Sequence, residues 1–288
     1  MIEQARSVKA GVVEWISLTH YLSMFFLITL VTVPIFFSLV FTPLFFLPLG
    51  YLAWMYYDFD TPRKQGRRSS FLRNFFLWKP MVDYFPLKLH KTCDIDPSKN
   101  YMFCFHPHGI VGTSGFLNFA TEATGFGQLF PGITLHPLTL NINFATPLLR
   151  DYAMGLGMGS VSRESVHYKL TQLGPGHSVL IAVGGAAEAL LSDPSHPYQL
   201  KLLSRKGFVR ECLKSGSSLV PIFSFGETEI FKQIIPPADS LFKKFQQFCH
   251  SSFRFVPVMF HGRFLLYPFR KPINTIGKYS SFFFIYWN

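Results

Sequence analysis

The chain has 288 residues, of which 49% are hydrophobic and 17% aromatic, and its formal net charge is +11. A charge of this sign and size indicates nucleic acid, anionic lipid headgroups or a phosphorylated small substrate as a partner. Nucleic acid is disfavoured, because the sequence holds no recognisable binding module and its lysines and arginines are dispersed beyond residue 80.

The N-terminal part of the chain predicts a membrane segment. Residues 1–14 carry mixed charge, whereas residues 15–57 contain no Asp, Glu, Lys or Arg. A membrane-spanning helix needs about 20 apolar residues, so this stretch has room for two. Prolines at positions 34, 43 and 48 interrupt it, which favours a transmembrane or re-entrant helical hairpin. The alternative is one buried helix of a soluble protein.

The residues that follow predict the orientation of the hairpin and one further domain. A basic cluster lies between Arg63 and Lys79. Positive residues beside a span stay in the cytosol, so both ends of the hairpin are expected there. Residues 58–288 are long enough for one globular domain. Four cysteines without a CxxC pair, and the lack of an N-x-S/T sequon, indicate that this domain faces a reducing compartment.

Alternating strand and helix patterns after residue 98 predict an α/β domain. Three short apolar runs are predicted to be strands, at 101–105, 178–183 and 218–225. Helices are predicted at 113–124, 147–157, 164–173, 186–191 and 205–215. Pro221 predicts that the third strand is an edge or bulged strand. Phe-rich stretches such as 71–78 suit either a membrane interface or an ordinary core.

Each predicted strand is followed by residues that can carry chemistry. The first runs into the sequence HPHG (106–109), the second into GGAAE (184–188) and the third into GE (226–227). Sites in parallel α/β sheets form beyond the carboxyl ends of the strands. The three strand ends together therefore predict one functional site.

The side chains at these strand ends suit acid–base catalysis. His106 and His108 can accept a proton at neutral pH, and Glu188 can orient such an imidazole and stabilise its charged form. His108 is the favoured candidate for the base, and His106 is the alternative. Backbone amides can stabilise an oxyanion, and glycines allow a close approach to substrate. The residues expected to supply these amides are Gly109, Gly184 and Gly185.

Other chemistries find less support in the sequence. The remaining histidines are too scattered to predict a metal site, and no GxSxG nucleophile motif is present. The segment 205–210 is predicted to open a helix with positive charge at its start, an arrangement that binds phosphates. Its expected phosphate ligands are Arg205, Lys206 and Arg210, and the alternative is a solvated basic face.

These motifs resemble those of the type-2 diacylglycerol acyltransferase family, which includes the monoacylglycerol and wax-alcohol acyltransferases. The resemblance is carried by HPHG (106–109), DYFP (83–86), TEATGFGQLFPGI (121–133), VGGAAEAL (183–190) and RKGFVRECLKSGSSLVPIFSFGE (205–227). It implies an enzyme of the endoplasmic reticulum membrane, facing the cytosol and associated with lipid droplets. Such an enzyme moves a fatty acyl group from acyl-CoA to diacylglycerol or monoacylglycerol, without a cofactor. The resemblance makes HPHG the catalytic motif and Glu188 the glutamate of GGxxE.

The acceptor, the activity and the oligomeric state stay open at this stage. Wax alcohol and retinol are alternative acceptors, and a homo-oligomer is possible. The C-terminal part, from about residue 264, departs from the pattern of the family and looks truncated. A catalytically inactive membrane or lipid-droplet protein that keeps the fold is therefore the alternative to an active enzyme.

Overall fold

The computed structural model describes residues 2–192, 198–237, 239–253 and 257–277. Its helices are α1 (Ile2–Leu22), α2 (Ile28–Val40), α3 (Phe46–Tyr57), α4 (Ser70–Arg73), α5 (Trp78–Tyr84), α6 (Thr113–Gly115), α7 (Phe126–Leu129), α8 (Leu149–Gly155), α9 (Arg163–Thr171), α10 (Ala186–Ala189), α11 (Gly207–Ser215) and α12 (Leu241–Phe253). Its strands are β1 (Lys88–Lys91), β2 (Tyr101–His106), β3 (Thr134–Thr139), β4 (Gly159–Ser160), β5 (His177–Ala182), β6 (Ser218–Phe225), β7 (Lys232–Gln233), β8 (Phe260–His261) and β9 (Asn274–Gly277).

The N-terminal helices form a hairpin. A π-helical segment, Ser23–Leu27, joins α1 to α2, and the turn after α2 contains Pro43. The rings of Phe36 and Tyr51 meet across α2 and α3, with centroids 5.3 Å apart. Pro34 lies inside α2 and Pro48 in the first turn of α3, so only Pro43 marks the turn.

Most of the long N-terminal helical run is exposed rather than packed in the core. The helical run 11–40 is long and apolar enough to cross a membrane, and only 11% of its most apolar window is buried. Its domain-proximal part packs on α5 and on the π-helical segment Phe116–Ala120 through Leu18, Tyr21 and Met24. Beyond that point the apolar side chains are exposed, which disfavours the buried-helix alternative.

A seven-stranded sheet forms the centre of the domain, in the order β1-β9-β6-β2-β5-β3-β4. Strands β2 to β6 are mutually parallel where they pair, whereas β9 is antiparallel to β6 and parallel to β1. The carboxyl ends of five strands therefore lie at one edge of the sheet. The three predicted strands and the α/β class are confirmed.

Strand β2 is buried on both faces, as its unbroken apolar run predicts. Phe103 and Phe105 pack into an aromatic cluster on one face, while Met102 and Cys104 pack against α9 and α11 on the other. Much of the phenylalanine content thus serves the core. In the stretch 71–78 the outcome is mixed, since Phe71 and Phe76 are exposed and Trp78 is buried.

The prediction that β6 is an edge or bulged strand is wrong. Its register with β2 runs without interruption from Tyr101↔Ser218 to His106↔Phe223, and β9 pairs on its other side. Among the described residues, β9 pairs with residues 222–225 of β6. Residues 278–288, on which the predicted C-terminal departure mainly falls, lie outside the described residues.

The predicted helix at 113–124 is shorter and less regular than expected. It consists of α6 and the π-helical segment Phe116–Ala120, and Thr121 is extended. The other predicted helices are present with shifted bounds, as α8, α9, α10 and α11. The basic segment begins its helix at Gly207, so Arg205 and Lys206 precede α11 rather than open it.

Candidate active site

The ends of β2, β5 and β6 lie side by side, because β2 pairs in parallel with both of the other strands. The structure therefore brings His106, Glu188 and Glu227 to one edge of the sheet. Strand β2 ends at His106, so strand geometry does not continue to His108. The His106–Pro107 peptide bond is cis.

The Glu188 carboxylate is the centre of the polar contacts at this edge. It is almost completely buried, and its oxygens lie 3.1 and 3.2 Å from Nδ1 of His106. The backbone amide of His108 donates to Oε1 at 2.8 Å, and that of Lys201 donates to Oε2 at 3.1 Å. Glu188 thus binds the ring of His106 and only the backbone of His108.

The contacts of Glu188 favour its ionised form. Burial opposes the negative charge, but the hydrogen bond and the charge of His106 and the two backbone amides outweigh it. The pKa of the Glu188 carboxyl therefore lies below its ordinary value. An ionised Glu188 can stabilise positive charge on the His106 imidazole.

In both imidazoles one ring nitrogen, Nδ1, faces an oxygen acceptor of the protein. Nδ1 of His106 faces the carboxylate and Nδ1 of His108 lies 2.9 Å from the Gly109 carbonyl oxygen, so both act as donors there. In each neutral ring Nε2 is then the proton acceptor. Nε2 of His106 is buried and has no hydrogen-bond partner among the described residues. An orphaned buried acceptor requires an explanation, and a catalytic role supplies one.

The glycines of the GGxxE motif shape the pocket of Glu188. A Cβ on Gly184 would lie 2.1 Å from Oε2 of Glu188, so only glycine lets the carboxylate fold back against the chain. Gly185 has φ 57° and ψ −155°, a conformation that strongly favours glycine.

The expected amide donors are not equivalent. The amide of Gly185 donates to the Ala182 carbonyl at 3.1 Å, so it is not free to stabilise an oxyanion, and that expectation is corrected. The amides of Gly109 and Gly184 donate to no residue in the part of the chain that the structure describes. These two remain suitable as donors.

Glu227 is a functional candidate to which sequence reasoning gave no role. It is fully buried, and its two oxygens accept from the backbone amides of Thr113 and Ser114 at 2.8 Å each. It also packs against Gly109, where a Cβ would lie 2.7 Å from its Cγ. Burial raises the pKa of Glu227 to about 7. The sequence signal that could have identified Glu227 is the one that identified His106 and Glu188, namely a polar residue just after the end of a strand.

The basic residues proposed for phosphates lie beside this edge. Nη2 of Arg205 donates to the Gly184 carbonyl at 3.2 Å, which fixes this arginine next to the end of β5. Lys206 and Arg210 are exposed, as is Arg205. The structure brings Arg205 to the Glu188 pocket and leaves the other two on the surface near the start of α11.

The scattered histidines include one close pair. The rings of His136 and His177 are stacked, with Nε2 and Nδ1 3.1 Å apart. Burial lowers the pKa of His136 to about 3. In the described residues no group of three or more His, Cys, Asp or Glu side chains has the arrangement of a metal site.

Comparison with known proteins identifies the family. The family model described as "Diacylglycerol acyltransferase" matches residues 37–279. The chain belongs to the diacylglycerol acyltransferase family. It is 44% identical to the acyl-CoA wax alcohol acyltransferase 1 of Mus musculus over 262 residues, covering 89% of this chain and 78% of that protein.

Two further relatives have similar identity. The 2-acylglycerol O-acyltransferase 1 of Bos taurus is 42% identical over 89% of this chain and 78% of its own length. The diacylglycerol O-acyltransferase 2 of Xenopus laevis is 45% identical over 82% of this chain and 67% of its own length. The chain is therefore an O-acyltransferase by family. No solved structure is significantly similar to it.

Proposed function

We propose that the protein transfers a fatty acyl group from acyl-CoA to the hydroxyl of diacylglycerol or monoacylglycerol, with His106 as general base. The single observation that carries the assignment of the base is the His106–Glu188 pair, in which Nδ1 is held by a carboxylate and Nε2 has no partner among the described residues. This revises the expectation that His108 is the base, because Glu188 does not touch the His108 ring.

The proposed reaction is a direct transfer. Nε2 of His106 takes the proton of the acceptor hydroxyl, whose oxygen attacks the thioester carbonyl. The amides of Gly109 and Gly184 stabilise the oxyanion of the tetrahedral intermediate. The C–S bond then breaks, and the imidazolium returns the proton to the departing thiolate of coenzyme A. Arg205, with Lys206 and Arg210 on the nearby surface, binds the phosphates of coenzyme A.

The hairpin is proposed to anchor the domain to the cytosolic face of the endoplasmic reticulum membrane, and to lipid droplets, as a re-entrant element. The returning arm α3 has 12 residues. At 1.5 Å per residue it is about 18 Å long, shorter than the hydrocarbon core of about 30 Å, whereas the helical run 11–40 is long enough to cross it. A returning arm that is too short for a full span agrees with a re-entrant hairpin better than with two full spans.

An acyl-transfer assay in microsomes that contain the full chain tests the function. Labelled oleoyl-CoA is offered with diacylglycerol, monoacylglycerol, fatty alcohol and retinol in parallel, because relatives named for different acceptors are almost equally similar. We expect an acylglycerol ester as the main product. Ester from no acceptor, with normal membrane expression, would refute the function and favour an inactive protein that keeps the fold.

Variants test the base. Loss of general base catalysis should lower kcat about 10²–10⁴-fold in His106→Ala. His108→Ala should lose less, and His167→Ala, on the exposed face of α9, is the matched control. Near-normal activity of His106→Ala together with an inactive His108→Ala would move the base to His108.

A further inference from the structure

A cavity of about 400 Å³ lies at the same edge of the sheet as His106, at the ends of β3 and β4. Its size is within the range of small-molecule sites. The end of α3 and the turn after it form one wall, and the segment after β3 forms the other. The lining residues that carry the argument are Tyr56, Phe59, Arg63, Asn141, Arg150 and Ser160.

The sheet register gives the position of this cavity relative to the imidazole. Met102 of β2 and His136 of β3 both pair with Val179 of β5. The carboxyl ends of β2 and β3 therefore lie at about the same level along the strand direction. Strands in a sheet are about 4.8 Å apart, so the end of β3 is about 10 Å from that of β2. Asn141 lies two residues beyond the end of β3, so a ligand in the cavity can extend along the ends of the strands to His106.

The cavity offers hydrogen-bond donors to a ligand. Arg150 is 1% exposed, and its Nη1 has no hydrogen-bond partner among the described residues, although an Asp151 oxygen lies 3.6 Å away. The side-chain oxygen of Asn141 accepts from Ser160, and its amide group is a further donor among the lining residues. Two donors suit a ligand that has acceptors, such as the carbonyl oxygens of esters.

The charge of the cavity wall argues against an anionic ligand. Arg63 is paired with Asp60 at 2.9 Å, and Arg150 is paired with Asp58 at 2.5 Å. Both arginines of the lining are therefore held in ion pairs, and Arg67 and Lys64 share the same carboxylates, so neither lining arginine is an unpaired cation that a phosphate would bind. Arg205 and Arg210, by contrast, form no ion pair with the residues described. A neutral ligand therefore fits the cavity better than coenzyme A or an anionic phospholipid.

The aromatic wall connects the cavity to the hairpin. Tyr56, at the end of α3, is 86% exposed and Phe59 is 60% exposed. Aromatic side chains in this position suit the headgroup level of a bilayer. A lipid can enter from the hairpin side and keep its acyl chains among the apolar side chains of α2 and α3.

We infer that this cavity binds the ester-bearing glycerol end of a neutral glycerolipid. The inference rests on the proposed function and extends it by assigning a site for the acyl acceptor or for the ester product, which share this chemistry. The chains of the lipid stay in the membrane, and the glycerol end points along the sheet edge toward His106.

Filling the cavity tests the inference. Ala145 lines it and is exposed, so Ala145→Trp reduces its volume with little effect on the core. Gln172→Trp, at the exposed end of α9, is the matched control. With wild-type protein in nanodiscs, a diacylglycerol that carries a photoreactive diazirine near the glycerol should label peptides from 55–63 or 141–150. Ala145→Trp should lose this labelling, and the control should keep it.

Kinetics give a second measurement. Ala145→Trp should raise KM for the acylglycerol at least about tenfold and change KM for oleoyl-CoA less than about twofold. An unchanged KM for the acylglycerol together with unchanged labelling would overturn the inference. So would a rise in KM for oleoyl-CoA alone. If the wild-type protein makes no ester, the proposed function fails, and the labelling still tests the cavity by itself.

Competition separates the possible ligands. Loss of labelling with unlabelled monoacylglycerol or diacylglycerol supports an acceptor site, and loss with triacylglycerol alone supports a product site. Loss with oleoyl-CoA or an anionic phospholipid, but with no neutral glycerolipid, would refute the inference.

Discussion

Replacement of Glu188 by glutamine tests the contact on which the proposed chemistry depends. The carboxylate accepts from three donors, which are Nδ1 of His106 and the amides of His108 and Lys201. The two amides bond to different oxygens, and a glutamine has only one oxygen. One backbone amide must therefore lose its acceptor, at a cost of about 1–3 kcal/mol.

The larger effect is expected on catalysis. The uncharged side chain of Glu188→Gln cannot stabilise the imidazolium of His106, so kcat should fall about 10²–10⁴-fold. The assay is ester formation from labelled oleoyl-CoA, with Glu188→Asp as the charge-preserving control. A kcat within about threefold of the wild type would refute the reasoning.

The remaining predictions concern the surroundings of the site. Gly184→Ala should displace Glu188 and lower kcat strongly, whereas Gly207→Ala, with no atom within 4 Å of its Cβ, should retain activity in the same assay. The pKa of Glu227 is about 7 in the folded protein and ordinarily 4.5, so its stabilising contribution is complete below about pH 4.5 and is lost as pH rises through 7. Glu227→Gln should therefore flatten the dependence of unfolding free energy on pH by up to about 3 kcal/mol in denaturant titrations at pH 5 and 8. Arg73→Ala should destabilise the domain by about 3–5 kcal/mol in the same titration, since Arg73 is buried and ion-paired with Glu122. A pH-independent difference for Glu227→Gln, or an unchanged midpoint for Arg73→Ala, would contradict these expectations.

The sequence predicted the strands that are continuously apolar and missed the polar ones. Strands β2, β5 and β6 are buried runs with clear ends. Strand β1 has the sequence KLHK and β9 has NTIG, so neither has an apolar pattern, and their pairing depends on tertiary contacts. The sequence likewise could not reveal that β9 covers the far side of β6, which misled the interpretation of Pro221.

The sequence predicted which residues form the site more easily than which of them contact each other. Strand ends identified the residues, because parallel strands deliver their carboxyl ends to one edge. The choice between His106 and His108 depends on where the strand stops and on how the chain turns afterwards, which local sequence does not fix. The role of the Gly185 amide depends on its hydrogen bond to the Ala182 carbonyl, which closes a turn over Val183 and Gly184 that the motif alone does not reveal.

The order of the strands separates two regions of different charge around β2. On one side, the connection between β5 and β6 carries Arg205 and Arg210 without acidic partners among the described residues. On the other side, the ends of β3 and β4 border a cavity whose arginines are ion-paired with Asp58 and Asp60. On this arrangement a polyanionic acyl donor and a neutral acceptor would bind to different surfaces. On the proposed function, each substrate approaches from its own side, and the thioester and the hydroxyl meet at the end of β2, where His106 lies.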